Sequence, residues 1–240
     1  RKVNALIGYS RIESFDETVE PDEQVPRAPL ASQGPYWVPA CEVHGEGIFI
    51  RFNEDAIQEW ENLPAVQTRA EMLLKGYQGW RASHHLKSDT GFPGIRYVML
   101  HTLAHLIIRE FALECGYNAT SIQERIYAKK TDKVQMAGIL LYTAASDSDG
   151  TLGGLVELGK ADTLERILTL ALKRATICSS DPLCSLHNPA EDRSLHAAAC
   201  HSCSFVAETS CEAGNRYLDR TLVVKSFECA DAAFFSKLEE

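Results

Sequence analysis

The amino-acid sequence predicts an α/β or α+β fold, a mixed sheet with packed helices and a C-terminal four-thiolate zinc module. Three observations lead there. Strand-like runs of β-branched and aromatic residues are interspersed with helical apolar patterns; the stretch from Ile95 to Phe111 is apolar enough for a central helix; and five of the eight cysteines fall between Cys178 and Cys211. At 240 residues the chain can bury one good core, or one core plus a metal-stapled appendage, and the second is expected. The expected divisions are a strand with a Pro-rich acidic loop or tether (1–40), an α/β core (41–177), a zinc-binding module (178–225) and a C-terminal tail (226–240).

Residues Lys2 to Ile12 read as a strand, with Val3, Leu6, Ile7, Tyr9 and Ile12 apolar among small or polar neighbours. From Glu13 to Pro39, Pro21, Pro26, Pro29, Pro35 and Pro39 exclude a long regular element and leave a loop or tether. Cys41 to Phe52 reads as a hairpin, Ile48, Phe49, Ile50 and Phe52 supplying strand formers and Gly45 and Gly47 the bend. Asn53 or Asp55 can cap a helix from Ala56 to Glu61, and a further helix covers Val66 to Lys75. After Pro93-Gly94, Ile95, Val98, Met99, Leu103, Leu106, Ile107 and Phe111 recur at helical spacing toward a stop near Gly116. Ser121 to Tyr127 reads as a short amphipathic turn or helix, and Val134 to Ala145 as a buried strand. The polar turn from Ser146 to Gly154 leads into a helix from about Asp162 to Ile177, which hands the chain to Cys178.

With 45% apolar and 24% charged residues the composition is that of an ordinary globular protein, and no apolar run reaches the roughly 18 to 20 residues that span a bilayer. The start, Arg1 to Gly8, has a basic beginning but no sustained apolar segment, so nothing points to secretion; the opening without methionine suggests part of something longer. Clustered cysteines without a secretion signal fit a reducing cytoplasm, where metal binding is favoured over disulfides. The net charge of −9 argues against a surface that grips nucleic acid throughout, and leaves only a local patch. The acidic run from Glu13 to Glu23 is most simply a solvated loop.

Catalytic motifs are weak. His101 and His105 lie at i and i+4 on one helix face, but position 102 is Thr where a helical metalloprotease carries its glutamate, so buried, hydrogen-bonded histidines are the plainer reading. The Gly150 to Gly154 turn is followed by Leu155-Val156 rather than the Lys and Ser or Thr of a phosphate loop; close backbone packing explains its glycines better. His85-Leu86-Lys87 lacks the aspartate of phospholipase D chemistry, since Phe92 occupies that position. No Ser-His-Asp or nucleophile-elbow pattern occurs.

The cysteines carry the strongest signal. Their order is Cys178-x5-Cys184-x15-Cys200-x2-Cys203-x7-Cys211, and thiolates on two turns can converge tetrahedrally on Zn²⁺, a closed site that serves structure rather than catalysis. Four complete a tetrahedron, so one of Cys178, Cys184, Cys200, Cys203 and Cys211 is spare. Lys173, Arg174, Arg216, Arg220 and Lys225 are candidates for contact with a nucleic-acid strand, with Tyr217 or His201 as a stacking surface; solvated helix faces are the plain alternative. Asn215 and Asp219 are placed to fix the cysteine loop through side-chain to backbone hydrogen bonds.

The segments Cys178-Ser-Ser-Asp-Pro-Leu-Cys184, Ala199-Cys200-His-Ser-Cys203 and Glu208-Thr-Ser-Cys211-Glu-Ala-Gly-Asn215-Arg-Tyr-Leu218-Asp219-Arg220 resemble the zinc-binding domain at the C-terminus of MrfA-type repair helicases. They are similar, more closely, to the DrmB subunits of the DISARM anti-phage system. Gly45-Glu-Gly-Ile-Phe-Ile-Arg51, Leu100-His-Thr-Leu-Ala-His105, Glu124-Arg-Ile-Tyr127, Leu141-Tyr142 and Gly150-Thr-Leu-Gly-Gly154 extend the resemblance from Gly45 to Arg220. It implies a bacterial defence protein without its own motor, partnered by a superfamily 2 helicase, DrmA, and holding structural Zn²⁺. It also implies that Cys200, Cys203 and Cys211 are ligands. The first ligand is then Cys178 or Cys184, and Cys184 is preferred because Cys178, at the end of an apolar helix, can pack as a small hydrophobe. Two rival functions remain at this point: a metal-dependent hydrolase using His101, His105 and the Asp147/Asp149 turn, and a pure protein-interaction scaffold without DNA contact.

Overall fold

The structure is a computed structural model and describes residues 1–9, 28–30, 37–87, 91–115, 119–131, 133–143, 153–226 and 231–236. Strands β1 (Lys2–Ala5) and β2 (Ala40–Val43) form a small antiparallel pair, with Lys2 opposite Val43. Strands β3 (Gly47–Arg51), β4 (Ile122–Tyr127) and β5 (Gly138–Thr143) form a second sheet in the order β3-β5-β4, also antiparallel. Helices and small antiparallel sheets therefore realise the expected class in its α+β form. The expected hairpin from Cys41 to Phe52 is corrected: β2 pairs with β1 and β3 with β5, so Gly45 marks a change of sheet.

Asn53 caps helix α1 (Glu54–Glu61) by accepting the amides of Asp55 and Ala56, and α1 buries Ile57 and Trp60. Helix α2 (Pro64–Ser83) opens with proline in its first turn and runs well past Lys75. Gly76 lies inside it because a Cβ there would meet Pro189 at 2.7–2.8 Å, on the short helix α6 (Pro189–Asp192). This glycine is a packing notch.

Helix α3 (Ile95–Cys115) is the axis of the molecule. Val98, Met99, Leu100, Leu103, Ala104, Ile107, Ile108 and Phe111 are all inaccessible to solvent, so apolar residues circle it, as the sequence requires of a buried helix. Against it pack β4, β5, helix α5 (Ala161–Ala175) and a 3-10 turn at Arg220–Leu222. A short helix α4 (Gly154–Leu158) precedes α5, and the Glu46 carboxylate accepts the amides of Gly153 and Val156 at its start. Gly153 has φ of 127°, a conformation suited to glycine. Most of the Ser146 to Gly154 turn, with Asp147 and Asp149, and most of the Glu13 to Pro39 segment lie outside the described residues.

Ser121 to Tyr127 is the clearest secondary-structure correction. It is β4, with Ile122, Glu124 and Ile126 inward and Arg125 outward. Beyond the cysteines the chain returns to the core: Leu222, Val223 and Val224 are buried there. In residues 231–236, within the segment expected as a tail, Ala232 accepts the Trp60 indole N–H at 2.8 Å and the Phe234 ring stands edge-on to Trp60 and Phe52. Among the described residues no helix is long and apolar enough to cross a membrane.

A buried charge network braces the start of α3. Arg96 donates Nε and Nη2 to both Glu61 oxygens at 2.9 and 3.1 Å, and Lys130 donates to Glu61 at 2.6 Å. Burial pushes the Glu61 carboxyl up, but Arg96 and Lys130 outweigh it and hold it below its ordinary value. Its stabilising contribution is thus present above the unfolded carboxyl pKa of about 4.3 and lost as pH falls through the folded value. Glu61→Gln is expected to lower unfolding stability by about 2 kcal/mol at pH 7. Denaturant unfolding at stepped pH should show that gap narrowing below about pH 4.

Candidate metal centre

Helix α5 ends at Ala175, and Cys178 follows within a tight run of turns in which Cys184 donates its amide to Ser180 at 3.0 Å. The second turn is a knuckle: the amides of Cys203, Ser204 and Phe205 all converge on the Cys200 carbonyl, at 3.2, 2.9 and 3.0 Å. Two turns built in this way aim four sulfurs at one point. Cys178 and Cys200 sulfurs are 3.5 Å apart, Cys184 and Cys203 3.7 Å, Cys200 and Cys203 3.7 Å, and all four lie within 4.8 Å of one another. Zn–S bonds of about 2.3 Å set tetrahedral sulfurs roughly 3.8 Å apart, so the cage has the size of a Zn²⁺ thiolate site.

The protons are already unevenly placed. The hydrogen bond between the Cys184 and Cys203 sulfurs, with Ser204 and the nearby Arg220 guanidinium, brings Cys203 down to about 5 against the opposing effect of burial. The same hydrogen bond, together with burial and the neighbouring sulfurs, pushes Cys184 up. Peripheral donors complete the cage: the Ser180 amide reaches Cys178 Sγ at 3.4 Å and the Ser204 hydroxyl Cys203 Sγ at 3.3 Å.

This grouping departs from the expected ligand choice. Cys178 and Cys184 both join Cys200 and Cys203, whereas Cys211 is set apart. Cys211 Sγ instead lies 3.1 Å from His101 Nε2, in a second buried group with His105 and Glu124 whose ligand atoms are also within 4.8 Å of one another. The physical reason is the loop that Asn215 builds. Asn215 exchanges two side-chain hydrogen bonds with the Val206 backbone, and its own amide donates to Cys211 Sγ at 3.1 Å, turning that sulfur toward α3. Asp219 also fixes its loop, accepting from the Thr221 amide and hydroxyl and from Arg69.

In the second group burial pulls the pKa values of His101 and His105 down, but the Glu124 carboxylate outweighs it and both are raised. Glu124 is held below the usual carboxylate range, with burial opposing and the two imidazoles prevailing. Sequence reasoning named Glu124 only within the Glu124-Arg-Ile-Tyr127 match and gave it no role at a site. Its signal was an acid at the centre of the alternating Ile122-x-Glu124-x-Ile126, an inward strand position otherwise apolar.

The basic candidates are dispersed. Lys173 and Arg174 stand exposed in the last turn of α5, and Arg174 pairs with Glu110 at 3.3 Å. Arg216 lines an open cleft of about 660 Å³ together with Trp80, His84, His201 and Phe205. Arg220 requires a correction: it is fully buried, donating to both Asp181 oxygens at 2.8 and 2.9 Å and to the Ala175 carbonyl at 2.8 Å, so it is turned away from any strand. Tyr217 likewise packs inward, between Tyr77 and Tyr97.

Comparison with known proteins agrees with this geometry. Residues 103–204 match the MrfA Zn-binding domain, a segment that contains all four clustered cysteines. The chain is 43% identical over 242 residues to the DISARM protein DrmB of Bacillus paralicheniformis, covering 99% of this chain and 42% of that relative. The chain thus spans well under half the length of the curated relative it matches, and the resemblance read from its motifs is borne out.

Proposed function

We propose that this relative of DrmB is the zinc-binding part of a DISARM accessory subunit, without catalytic activity of its own, that supports a DrmA-like superfamily 2 helicase on DNA. The observation that carries the proposal is the closed four-thiolate cage within the segment matched to the MrfA Zn-binding domain. Cys178, Cys184, Cys200 and Cys203 would hold the ion. A centre with four protein ligands leaves no position for substrate or water, so the zinc would supply folding energy rather than Lewis-acid chemistry.

Two surface features support the partners. Ile177, Leu183 and Leu186 stand exposed on the stretch that carries Cys178 and Cys184, apolar side chains that a protein partner would cover. The cleft beside the knuckle combines Arg216 and Arg193 with Trp80, His201 and Phe205, pairing phosphate-binding charge with rings on which a base can stack. The net charge of −9 limits such contact to a local grip that matters when a motor supplies the rest.

The test is an ATPase and strand-binding titration of helicase alone, this chain alone and the two mixed. The mixture should exceed the helicase, and the lone chain should turn over no ATP. Arg216→Glu is expected to weaken strand binding by the complex about tenfold and flatten its salt dependence, leaving the complex assembled. Lys173→Glu with Arg174→Glu tests the second basic position in the same assay. ATP hydrolysis by the lone chain, or a mixture no better than the helicase, would defeat the reading.

A further inference from the structure

We infer that this chain holds a second Zn²⁺, bound by His101 Nε2, His105 Nε2, a Glu124 carboxylate oxygen and Cys211 Sγ, and that this ion fastens the cysteine module to the α3–β4 core. All four residues are buried, and their ligand atoms lie within 4.8 Å of one another. His101 Nε2 stands 2.8 Å from Glu124 Oε1 and 3.1 Å from Cys211 Sγ, and His105 Nε2 stands 3.2 Å from the same Glu124 oxygen.

The hydrogen-bond polarity makes this group incomplete without a cation. His101 Nδ1 faces the Tyr217 carbonyl at 3.2 Å and His105 Nδ1 the Ser204 carbonyl at 2.9 Å. A carbonyl only accepts, so each ring carries its proton on Nδ1, and in the neutral ring Nε2 is left as a bare lone pair. Those two lone pairs point at a carboxylate. Cys211 Sγ already accepts the amides of Ala213 and Asn215, at 3.3 and 3.1 Å. Glu124 Oε2 is buried with no hydrogen-bond partner. Four acceptors thus converge, and a fifth is orphaned, in a space closed to water.

Protonating both imidazoles would place two buried cations on rings whose centroids are 4.5 Å apart. One dication answers the whole set instead: two neutral imidazoles, a carboxylate and a thiolate around Zn²⁺ sum to zero charge, which suits a dry interior. Nitrogen, oxygen and sulfur together are a zinc donor set, and imidazoles held through Nδ1 by backbone carbonyls have the outer support that zinc histidines ordinarily carry. Zn–N and Zn–O bonds of about 2.0 Å put tetrahedral ligands roughly 3.3 Å apart, so the three short spacings need to open by no more than about half an ångström.

The two cages would be joined through one residue. Ser204 offers its carbonyl to His105 and its hydroxyl to Cys203 Sγ. The i, i+4 histidines therefore read as a structural latch, since four protein ligands leave no open position for hydrolysis.

The test needs no variant to begin with. Zinc is counted in the purified wild-type chain after dialysis against a weak chelator, and the zinc shell is read by X-ray absorption. Two ions per chain are expected, sharing a shell of five sulfurs and three nitrogen or oxygen ligands. One ion in an all-sulfur shell, or two ions with sulfur alone, would overturn the second centre. One ion with a single sulfur and three nitrogen or oxygen neighbours would uphold it while defeating the four-thiolate reading. Cys211→Ser should then fall from two ions to one with an all-sulfur shell; a soluble Cys211→Ser chain still holding both in an unchanged shell would also overturn the assignment.

Discussion

A Cys203→Ser chain is expected to lose the zinc of the four-thiolate cage and to arrive with the turns that carry Cys178, Cys184, Cys200 and Cys203 unfolded. Cys203 is the hub of that cage: its sulfur is 3.7 Å from both Cys184 and Cys200, and it carries the low thiol pKa that readies the site for metal. The buried cluster at the cage consists of the cysteines themselves, so no separate apolar core holds these turns if the ion is lost. Structural zinc contributes on the order of 10 kcal/mol to small sites of this type, as much as the whole stability of many domains. Zinc content and limited proteolysis decide the matter: early cleavage in the turns Cys178 to Cys184 and Cys200 to Cys203 with a helical core surviving is the expected pattern. Cys178→Ser should behave alike, and Cys211→Ser should keep the four-thiolate ion. A soluble, zinc-replete, protease-resistant Cys203→Ser protein would contradict the assignment of ligands.

Arg220→Met should destabilise the fold by about 3–5 kcal/mol, because it leaves Asp181 without the guanidinium that now holds both its oxygens. For a chain of this size that is a loss of roughly 10 °C in melting temperature. The Ala175 carbonyl loses its donor in the same step, so the end of α5 and the Cys178 turn should loosen together. A thermal melt paired with the rate of zinc release to a chromogenic chelator reads both effects. Asp181→Asn combined with Arg220→Met should cost less than the sum of the two single changes, since neither partner is then left charged and alone. An Arg220→Met chain as stable as wild type and impaired only in strand binding would return Arg220 to the surface role first expected of it.

How far the sequence could be read depended on whether a residue's role is local. The α3 helix was legible because its apolar pattern needs no partner to be recognised, and the Asn53 cap because capping is settled within three residues. The Cys200-x2-Cys203 knuckle was legible for the same reason. What escaped depends on partners distant in the chain. Arg220 looked like a surface charge until Asp181, 39 residues away, was placed beside it. Glu124 hid β4 because a charged residue at an inward position breaks the alternation by which a strand is recognised. Cys211 was counted with its sequence neighbours, although His101, 110 residues away, is its spatial one. Helix α2 outruns its expected end at Lys75 because its contact with α6, at Gly76, is likewise distant in sequence.

The route of the chain has a mechanical consequence. The thiolate turns, Cys178 to Cys184 and Cys200 to Cys203, lie between the end of α5 and the 3-10 turn Arg220–Leu222, and both of these anchors pack on α3. The thiolate turns are therefore a loop in parallel with the load path rather than a link in series. Tension along the backbone, such as a translocating motor would impart, is borne first by the α5–α3 and Arg220–Ala175 contacts and bypasses the metal until those yield. A protein built in this way would give under force at its helix packing, with its thiolate cage the last part to feel the pull.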